Sequence, residues 1–286
     1  MTTGEVQVMK GVPVATALTE KLAAKVEDLK NKGVCPKLAI VRVGERGDDL
    51  AYERGATKRM EKCGIDCQVY TFDENVTMSD FEAGFKAIND DEAVHGILMF
   101  RPLPKHLDEE RIKSIINPAK DVDCMSATNM AKVFMGDKEG FAPCTPEAVI
   151  RMLEHYEIET TGKNVALIGR SLVVGKPLAM LLMGKNATVT VCHTKTKNIA
   201  DITKRADIII AAAGAAKTVT ADMVSDGTVV VDVGINVDDN GNLCGDVDFE
   251  AVCQKASFIS PVPSGVGSVT STVLAEHVVR AAEAGL

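Results

Sequence analysis

The stretch Val165-Ala-Leu-Ile-Gly-Arg-Ser-Leu-Val-Val-Gly-Lys-Pro177 decides how the second half of this chain is interpreted. An apolar strand at 165–168 leads into a turn bounded by Gly169 and Gly175, and Pro177 follows in the first turn of a helix. Such a unit is an anion site, because free N–H groups and the helix dipole point at a phosphate. The spacing is not G-x-G-x-x-G, so the pattern alone fits an ordinary tight turn equally well.

The segment after the next strand, Cys192-His-Thr-Lys-Thr196, bears on the choice of nucleotide. A doubly wound fold places the adenosine ribose here, and an acid would select NAD, whereas Arg and hydroxyl groups suit the 2′-phosphate of NADP. No acid is present, which favours NADP over NAD; a solvated basic loop is the alternative. Small residues after two later strands allow close approach of a cofactor. The predicted cofactor-binding residues are Gly169, Arg170, Ser171, Gly175, His193, Thr194, Gly214 and Ile235.

Strand and helix signals alternate along the rest of the chain. This pattern predicts βαβ units, mostly parallel sheets and two α/β domains with a cleft between them. A helix capped by Ser79 is expected through residue 89, and another is expected to start with Thr145 as its cap. Residues 118–146 lack periodicity and predict a long functional connection. The predicted strands are 37–43, 67–72, 94–100, 164–168, 188–192, 207–212, 228–233 and 257–259.

Composition narrows the function classes. The 286 residues carry 32 Lys+Arg against 40 Asp+Glu, a formal charge of −8, which argues against a nucleic-acid partner and against docking on anionic membranes. The longest apolar run, at 208–216, is far below the ~20 residues of a membrane span. Residues 1–5 show no signal-peptide pattern. The eight Cys form no CxxC pair and the five His are isolated, so we expect a cytoplasmic protein without a metal site.

Five motifs, in order along the chain, resemble the methylenetetrahydrofolate dehydrogenase/cyclohydrolase family. They are Pro118-Ala-Lys-Asp-Val-Asp123, Pro143-Cys-Thr-Pro146, Gly169-Arg-Ser-Leu-Val-Val-Gly-Lys-Pro177, Cys192-His-Thr-Lys-Thr196 and Pro261-Val-Pro-Ser-Gly-Val-Gly267. The resemblance implies an N-terminal α/β folate domain and a Rossmann-type doubly wound parallel sheet, flanking a cleft. It assigns 1–143 and 267–286 to the folate domain and 144–266 to the NAD(P) domain, and it implies a homodimer.

The resemblance also implies a reaction and its site. The family oxidises 5,10-methylenetetrahydrofolate by hydride transfer to NAD(P), and many members then hydrolyse the methenyl product to 10-formyltetrahydrofolate. Tyr52 matches the tyrosine that stacks on the aminobenzoyl ring, and Asp123 matches the acid that accepts hydrogen bonds from the aminopyrimidine edge. Both are predicted catalytic residues, and Phe100, Pro263 and Gly265 complete the predicted substrate site.

Two departures from the family pattern bear on hydrolysis. The lysine of the family's Tyr-x-x-x-Lys motif is Ala56 here, and the glutamine of Gly-Ile-Leu-Val-Gln-Leu-Pro-Leu-Pro is Phe100. An ammonium beside the reacting carbon can position water and move protons, whereas Ala and Phe can do neither. Hydride transfer needs only orientation of substrate and cofactor. The sequence therefore predicts an NADP-dependent dehydrogenase with weak or absent cyclohydrolase activity.

Three alternatives remain open. The protein is a full bifunctional enzyme if another group replaces the lysine. It is a non-catalytic folate- or nucleotide-binding regulator if neither reaction proceeds, although such a protein need not keep both sets of motifs. A shikimate-type or amino-acid dehydrogenase has a similar layout, but it does not explain the Lys-Asp-Val-Asp and Pro-Val-Pro motifs together.

Overall fold

A computed structural model describes residues 6–238 and 240–285 and divides them into two compact units. The first unit contains Ala17–Cys144 and the residues from Ser271 onward; the second contains the residues up to Thr16 and Thr145–Thr270. Each unit is an α/β structure built on a parallel sheet, which confirms the predicted fold class. Residues 1–5, where no signal peptide was expected, lie outside the described residues.

The first unit is built on a three-stranded parallel sheet, in which β2 (Lys37–Val43) lies between β3 (Asp66–Phe72) and β4 (Gly96–Met99). The central strand, β2, is a run of β-branched and aliphatic residues that is buried on both faces, as expected for a parallel strand covered by helices. Phe81 and Phe85 of α3 are fully buried against this sheet. The elements are α1 (Gly11–Asn31), β2 (Lys37–Val43), α2 (Gly47–Cys63), β3 (Asp66–Phe72), α3 (Met78–Asp90), β4 (Gly96–Met99), α4 (Glu109–Ile115), α5 (Ala127–Met135) and α10 (Thr270–Glu283).

The second unit contains a six-stranded parallel sheet in the order β1-β11-β8-β7-β5-β6. The chain leaves β5 to form β6 on one side and returns to form β7 on the other, so β5 and β7 flank the switch point where doubly wound sheets bind ligands. The elements are β1 (Gln7–Val8), α6 (Cys144–His155), β5 (Asn164–Ile168), α7 (Gly175–Gly184), β6 (Thr188–Cys192), α8 (Ile199–Thr203), β7 (Ile208–Ala211), β8 (Val229–Asp232), an antiparallel β9 (Asn236–Val237)–β10 (Leu243–Cys244) pair, α9 (Phe249–Val252) and β11 (Phe258–Ile259).

The division differs from the predicted one at the N-terminus. The prediction assigned residues 1–143 to the folate domain, whereas the described residues up to Thr16 belong to the second unit. The cause is β1, which pairs in parallel with β11: Gln7 aligns with Phe258, and Val8 aligns with Ile259. A two-residue strand carries no periodicity, and its partner lies far away in the sequence, so local patterns could not reveal it.

Two helix starts and one connection also differ from expectation. Helix α3 is capped by Thr77 rather than Ser79, and the Thr77 hydroxyl accepts a hydrogen bond from the Asp80 N–H at 3.1 Å. Helix α6 begins at Cys144, so Thr145 lies inside it rather than acting as its cap. The predicted connection at 118–146 contains α5, which Ser126 caps by accepting a hydrogen bond from the Asn129 N–H.

Among the described residues, no helix is both long and apolar enough to cross a membrane.

Candidate functional site

The predicted cofactor residues lie together at one edge of the six-stranded sheet. Each follows the carboxyl end of one of four neighbouring parallel strands, β6, β5, β7 and β8. The loop after β5 carries Gly169, Arg170, Ser171 and Gly175; the loop after β6 carries His193 and Thr194; Gly214 follows β7, and Ile235 follows β8. This edge includes the switch point between β5 and β7, where a dinucleotide is expected to bind.

The turn after β5 requires its two glycines. Gly169 has a φ of +130°, and a Cβ there would collide with the Ala212 carbonyl oxygen. A Cβ on Gly175 would collide with the Gly169 carbonyl oxygen. The close approach of these backbone segments brings the start of α7 against the end of β5. Helix α7 has no acidic residue in its first turn, so its positive end is not neutralised there.

The ribose end of this edge is basic and exposed. Arg170 and Thr194 are exposed, and no carboxylate occurs between His193 and Asn198. The His193 N–H donates to the Thr196 hydroxyl at 2.9 Å, and the Lys195 N–H donates to Nδ1 of His193 at 3.1 Å, so the loop is closed on itself. The arrangement can receive an additional phosphate on the ribose, which fits NADP.

Two buried carboxylates hold the loops after β7 and β8. Asp246 accepts hydrogen bonds from the N–H groups of Ala213, Gly214 and Ala215 and from the Asn236 side chain, at 2.6–2.9 Å. It is fully buried. One residue thereby fixes the backbone at Gly214 and, through Asn236, the segment beside Ile235.

Asp232 fixes the position of Asp246 in turn. Its Oδ1 accepts from the N–H groups of Gly234 at 2.9 Å and Asp246 at 3.0 Å, and its Oδ2 accepts from Val247 at 2.9 Å. Burial and the charge of Asp246 raise the pKa of Asp232 to about 6, against the effect of those three donors. The analysis of the sequence missed both acids. The available signals were an Asp at the end of a buried strand and the Gly-Asp pair at 245–246.

The first unit brings Tyr52 and Phe100 together. Tyr52 lies on α2 and is 38% exposed, whereas Phe100 follows β4 and is 7% exposed. Their ring centroids are 5.8 Å apart with an interplanar angle of 68°, an edge-to-face contact. Ala56 lies one helical turn beyond Tyr52 and is 1% exposed. Ala56 and Phe100, which the sequence analysis matches to the family's lysine and glutamine, are thus both buried apolar side chains.

Asp123 lies in the loop before α5, and Arg101, the residue that follows Phe100, is close to its carboxylate. Its Oδ1 accepts a hydrogen bond from the Cys144 N–H at 3.1 Å, and its Oδ2 lies 4.0 Å from Nη2 of Arg101. The side chain is 31% exposed. Burial raises its pKa, while the bonds from Cys144 and the charge of Arg101 act in the opposite direction.

The polar groups near Tyr52 on α2 either pair with each other or are exposed. Asp49 pairs through both carboxylate oxygens with Arg46 at 2.8 Å. Arg54 and Lys58 are exposed and occupy other faces of the helix than the buried Ala56. Among the described residues, the ion pair recorded for Asp123 is with Arg101.

The remaining predicted substrate residues, Pro263 and Gly265, lie in the second unit, after β11. A Cβ on Gly265 would collide with the Pro261 carbonyl oxygen, and the Ser264 carbonyl oxygen accepts from the Gly11 N–H at 2.8 Å. Ser264 has a φ of +80°, a left-handed conformation that favours glycine. The family that the sequence resembles has glycine at this position.

Among residues 6–238 and 240–285, no group of three or more His, Cys, Asp or Glu side chains could hold a metal ion.

Comparison with known proteins agrees with both halves of this description. Residues 9–123 match the family model of the tetrahydrofolate dehydrogenase/cyclohydrolase catalytic domain, and residues 143–286 match that of its NAD(P)-binding domain. A curated relative from Clostridioides difficile, named bifunctional protein FolD, is 56% identical over 275 residues, covering 96% of each chain. A relative of the same name from Alkaliphilus oremlandii is 54% identical and also covers 96% of each chain.

Solved structures show the same relationship. The bifunctional FolD methylenetetrahydrofolate dehydrogenase/cyclohydrolase of Campylobacter jejuni has a TM-score of 0.95 at 41% identity, covering 98% of this chain and 100% of that one. A Trypanosoma brucei FolD, solved with NADP and an inhibitor, has a TM-score of 0.91 at 34% identity, covering 98% of each chain. The chain therefore belongs to the tetrahydrofolate dehydrogenase/cyclohydrolase family.

Proposed function

We propose that this protein oxidises 5,10-methylenetetrahydrofolate to 5,10-methenyltetrahydrofolate with NADP, and that its cyclohydrolase activity is weak or absent. The observation that carries the proposal is the pair Ala56 and Phe100, which are 1% and 7% exposed at the positions of the family's lysine and glutamine. The resemblance links that lysine to hydrolysis. The dehydrogenase activity itself is supported by membership of the family.

The proposed folate site uses Tyr52 and Asp123 for binding and orientation. The exposed face of Tyr52 stacks on the aminobenzoyl ring, and the edge-to-face contact with Phe100 fixes the tilt of that face. Asp123 accepts hydrogen bonds from the aminopyrimidine edge. Pro263 and Gly265, in the loop after β11, are proposed as substrate-binding residues on the family resemblance alone. Within the first unit, Tyr52 and Asp123 hold the folate in a fixed orientation, as hydride transfer requires.

The proposed coenzyme is NADP rather than NAD. The support is the exposed Arg170 guanidinium and the Thr194 hydroxyl, with no carboxylate in the loop after β6 to select a free ribose hydroxyl. The start of α7 suits the pyrophosphate, and Gly214 and Ile235 suit the nicotinamide end. When bound, the nicotinamide accepts a hydride with its electron pair, and the folate carbon is left as the methenyl cation.

Hydrolysis makes a different demand. Water must add to the methenyl carbon and lose a proton, and the bond from that carbon to N5 must then break as N5 takes up a proton. A positioned acid–base group typically contributes ~10²–10⁴-fold to such proton transfers. Neither a methyl group nor a phenyl ring transfers a proton. Arg54 and Lys58 are exposed on other faces of α2, and a guanidinium remains protonated at neutral pH. The dehydrogenase reaction survives because it needs orientation alone.

The second candidate is the full bifunctional enzyme that makes 10-formyltetrahydrofolate, and it is favoured by the names of the 54–56% identical relatives. One assay separates the two. With methylenetetrahydrofolate and NADP, the monofunctional enzyme produces NADPH and methenyltetrahydrofolate in equal amounts, whereas the bifunctional enzyme produces NADPH while little methenyl compound accumulates. A non-catalytic regulator would produce no NADPH.

We also propose, on the family resemblance, that the protein acts as a cytoplasmic homodimer without nucleic-acid or membrane partners. The net charge of −8 supports the last two points because it disfavours anionic partners. The mass of the purified protein, measured by light scattering during size-exclusion chromatography, tests the assembly: a dimer has twice the 30.4 kDa of the chain.

A further inference from the structure

Arg101 is a charged residue in the folate pocket that the family pattern does not contain. It follows Phe100 directly after β4, where the pattern Gly-Ile-Leu-Val-Gln-Leu-Pro-Leu-Pro has leucine. Its Nη2 lies 4.0 Å from Oδ2 of Asp123, and the two side chains are 21% and 31% exposed. A guanidinium that is mostly covered, beside a carboxylate that is partly covered, is screened less than a surface pair.

Two substitutions together relocate a cation in this pocket. Compared with the family pattern, this chain has Ala56 in place of the lysine, and it has Arg101 in place of a leucine. The charge moves from α2, beside Tyr52, to the loop after β4, beside Asp123. It also changes in kind, since a lysine can be tuned to exchange a proton near neutral pH, whereas an arginine stays protonated.

The surroundings of Asp123 explain what a fixed cation would do there. Burial raises the pKa of this carboxyl and Asp121 raises it further, while the N–H and thiol of Cys144 and the charge of Arg101 lower it. The titratable and charged groups around it are Arg101, Asp121, Cys124, Cys144 and, through the Val122 carbonyl, His277.

The other carboxylate near Arg101 already has partners. Glu109 pairs with Lys113 at 2.6 Å and accepts the Leu103 N–H at 3.1 Å. Arg101 lowers the pKa of Glu109 through space, but Lys113 is its ion-pair partner. The charge of Arg101 thus acts on several groups, and its ion-pair contact is with Asp123, at 4.0 Å.

We propose that Arg101 is a positioning residue for the folate substrate, and that it holds Asp123 ionised and oriented toward the aminopyrimidine edge. The inference rests on the proposed function, because it assumes that Asp123 binds that edge. It explains how the pocket keeps a cation for substrate binding while it loses the group that would move a proton. A carboxylate accepts from two donors at once, whereas its protonated form accepts less well.

The test is the pH profile of kcat/KM for methylenetetrahydrofolate, at saturating NADP, in wild type and in Arg101→Gln, Arg101→Lys and Asp123→Asn. Arg101→Gln keeps a polar side chain of similar length without the charge, and Arg101→Lys keeps the charge. The acid limb of this profile reports the ionisation of groups in the free enzyme. The melting temperature of each variant checks folding independently.

We expect Arg101→Gln to move the acid limb to higher pH, so that kcat/KM at a pH on that limb falls about two- to fivefold, the range for a partly exposed ion pair. At high pH, where Asp123 is ionised with or without Arg101, kcat/KM falls by a smaller factor than on the limb because only the orientation of Asp123 is lost. Arg101→Lys restores the limb, and Asp123→Asn abolishes it. If the acid limb of Arg101→Gln lies at the wild-type pH, or if kcat/KM falls by the same factor at every pH, the proposed role of Arg101 is wrong. If Asp123→Asn keeps both the wild-type limb and the wild-type KM, the assignment of Asp123 fails instead.

Discussion

The two sites of this molecule are constructed differently. In the second unit the nucleotide edge is formed by main-chain segments that Gly169 and Gly175 allow to approach closely. The buried carboxylates of Asp246 and Asp232 hold these segments by accepting hydrogen bonds from six backbone N–H groups and from the Asn236 side chain. In the first unit the proposed folate site depends on a few side chains, such as Tyr52. The first kind of site tolerates little change, whereas the second, on the function proposed above, loses one activity and keeps the other through two substitutions.

The largest expected effect is on the side-chain site. Asp123→Ala removes the carboxylate that we propose accepts two hydrogen bonds from the aminopyrimidine edge. Because hydrogen bonds to charged groups contribute ~1.5–3 kcal/mol each, kcat/KM for the folate should fall by at least ~100-fold. The dissociation constant for NADP, which binds in the other unit, should stay near wild type. Steady-state kinetics and a coenzyme titration measure the two effects. Full dehydrogenase activity in this variant would show that the pocket does not depend on Asp123.

The next effect tests selectivity at the nucleotide edge. Arg170→Ala removes the proposed partner of the 2′-phosphate, so affinity for NADP should fall by ~10–100-fold while affinity for NAD changes little. The matched control is Lys176→Ala, which removes a charge from the start of α7 and should weaken both coenzymes alike. A wild-type preference for NAD, or an equal loss for both coenzymes in Arg170→Ala, would contradict the NADP assignment.

A smaller effect is expected from the buried acid of the main-chain site. Asp246→Asn replaces an oxygen that faces N–H donors with an NH₂ group, which leaves donors of the loop after β7 without an acceptor. The KM for NADP should rise by about tenfold and stability should fall by ~1–3 kcal/mol, while the dissociation constant for tetrahydrofolate changes little. Folate binding reduced as strongly as coenzyme binding would show that the two sites are not separable in this way.

The smallest effect concerns backbone strain. Ser264 has a φ of +80°, and a side chain in the left-handed region costs ~1–2 kcal/mol that glycine avoids, against ~0.5–1 kcal/mol of extra chain entropy. Ser264→Gly should therefore raise the free energy of unfolding by up to about 1 kcal/mol, with kcat nearly unchanged. Denaturant unfolding measures the difference, and a destabilised variant would mean that the hydroxyl makes a compensating contact.

The strands and the nucleotide motif were largely predictable because their signals are local. The bounds of β2 (Lys37–Val43), β5 (Asn164–Ile168) and β6 (Thr188–Cys192) agree with the predicted ranges, since each is a short run rich in aliphatic or β-branched residues next to a turn. The start of α3 was predicted two residues late because both Thr77 and Ser79 can cap a helix. Helix α5 was hidden among the Pro and Gly residues that flank it.

The site geometry was less predictable because it depends on contacts between distant residues. Family motifs identified Tyr52 and Phe100, but no spacing rule predicts that their rings touch edge-to-face. The 33-residue separation of Ala213 and Asp246 likewise hides their hydrogen bond from local analysis. Arg101 stands out in the sequence only as a departure from a pattern, and its significance appears once the structure places it beside Asp123.

The claim that Ala56 and Phe100 make hydrolysis weak or absent can also be tested by restoring the family's residues at both positions. The double variant Ala56→Lys/Phe100→Gln returns the family's lysine and glutamine to the pocket, and it should gain hydrolysis of methenyltetrahydrofolate above the wild-type rate. Ala56→Met is a matched control that adds length without an amine. Because position 56 is 1% exposed, all these variants must first be shown to keep dehydrogenase activity.

The most direct test is the decay of supplied methenyltetrahydrofolate in the presence of increasing amounts of the wild-type protein, without coenzyme. With Ala56 and Phe100 in the pocket, the decay rate should equal the rate in buffer at every protein concentration, while the same preparation reduces NADP with methylenetetrahydrofolate. A decay rate that rises in proportion to protein concentration would contradict the account and show that another residue performs the hydrolysis.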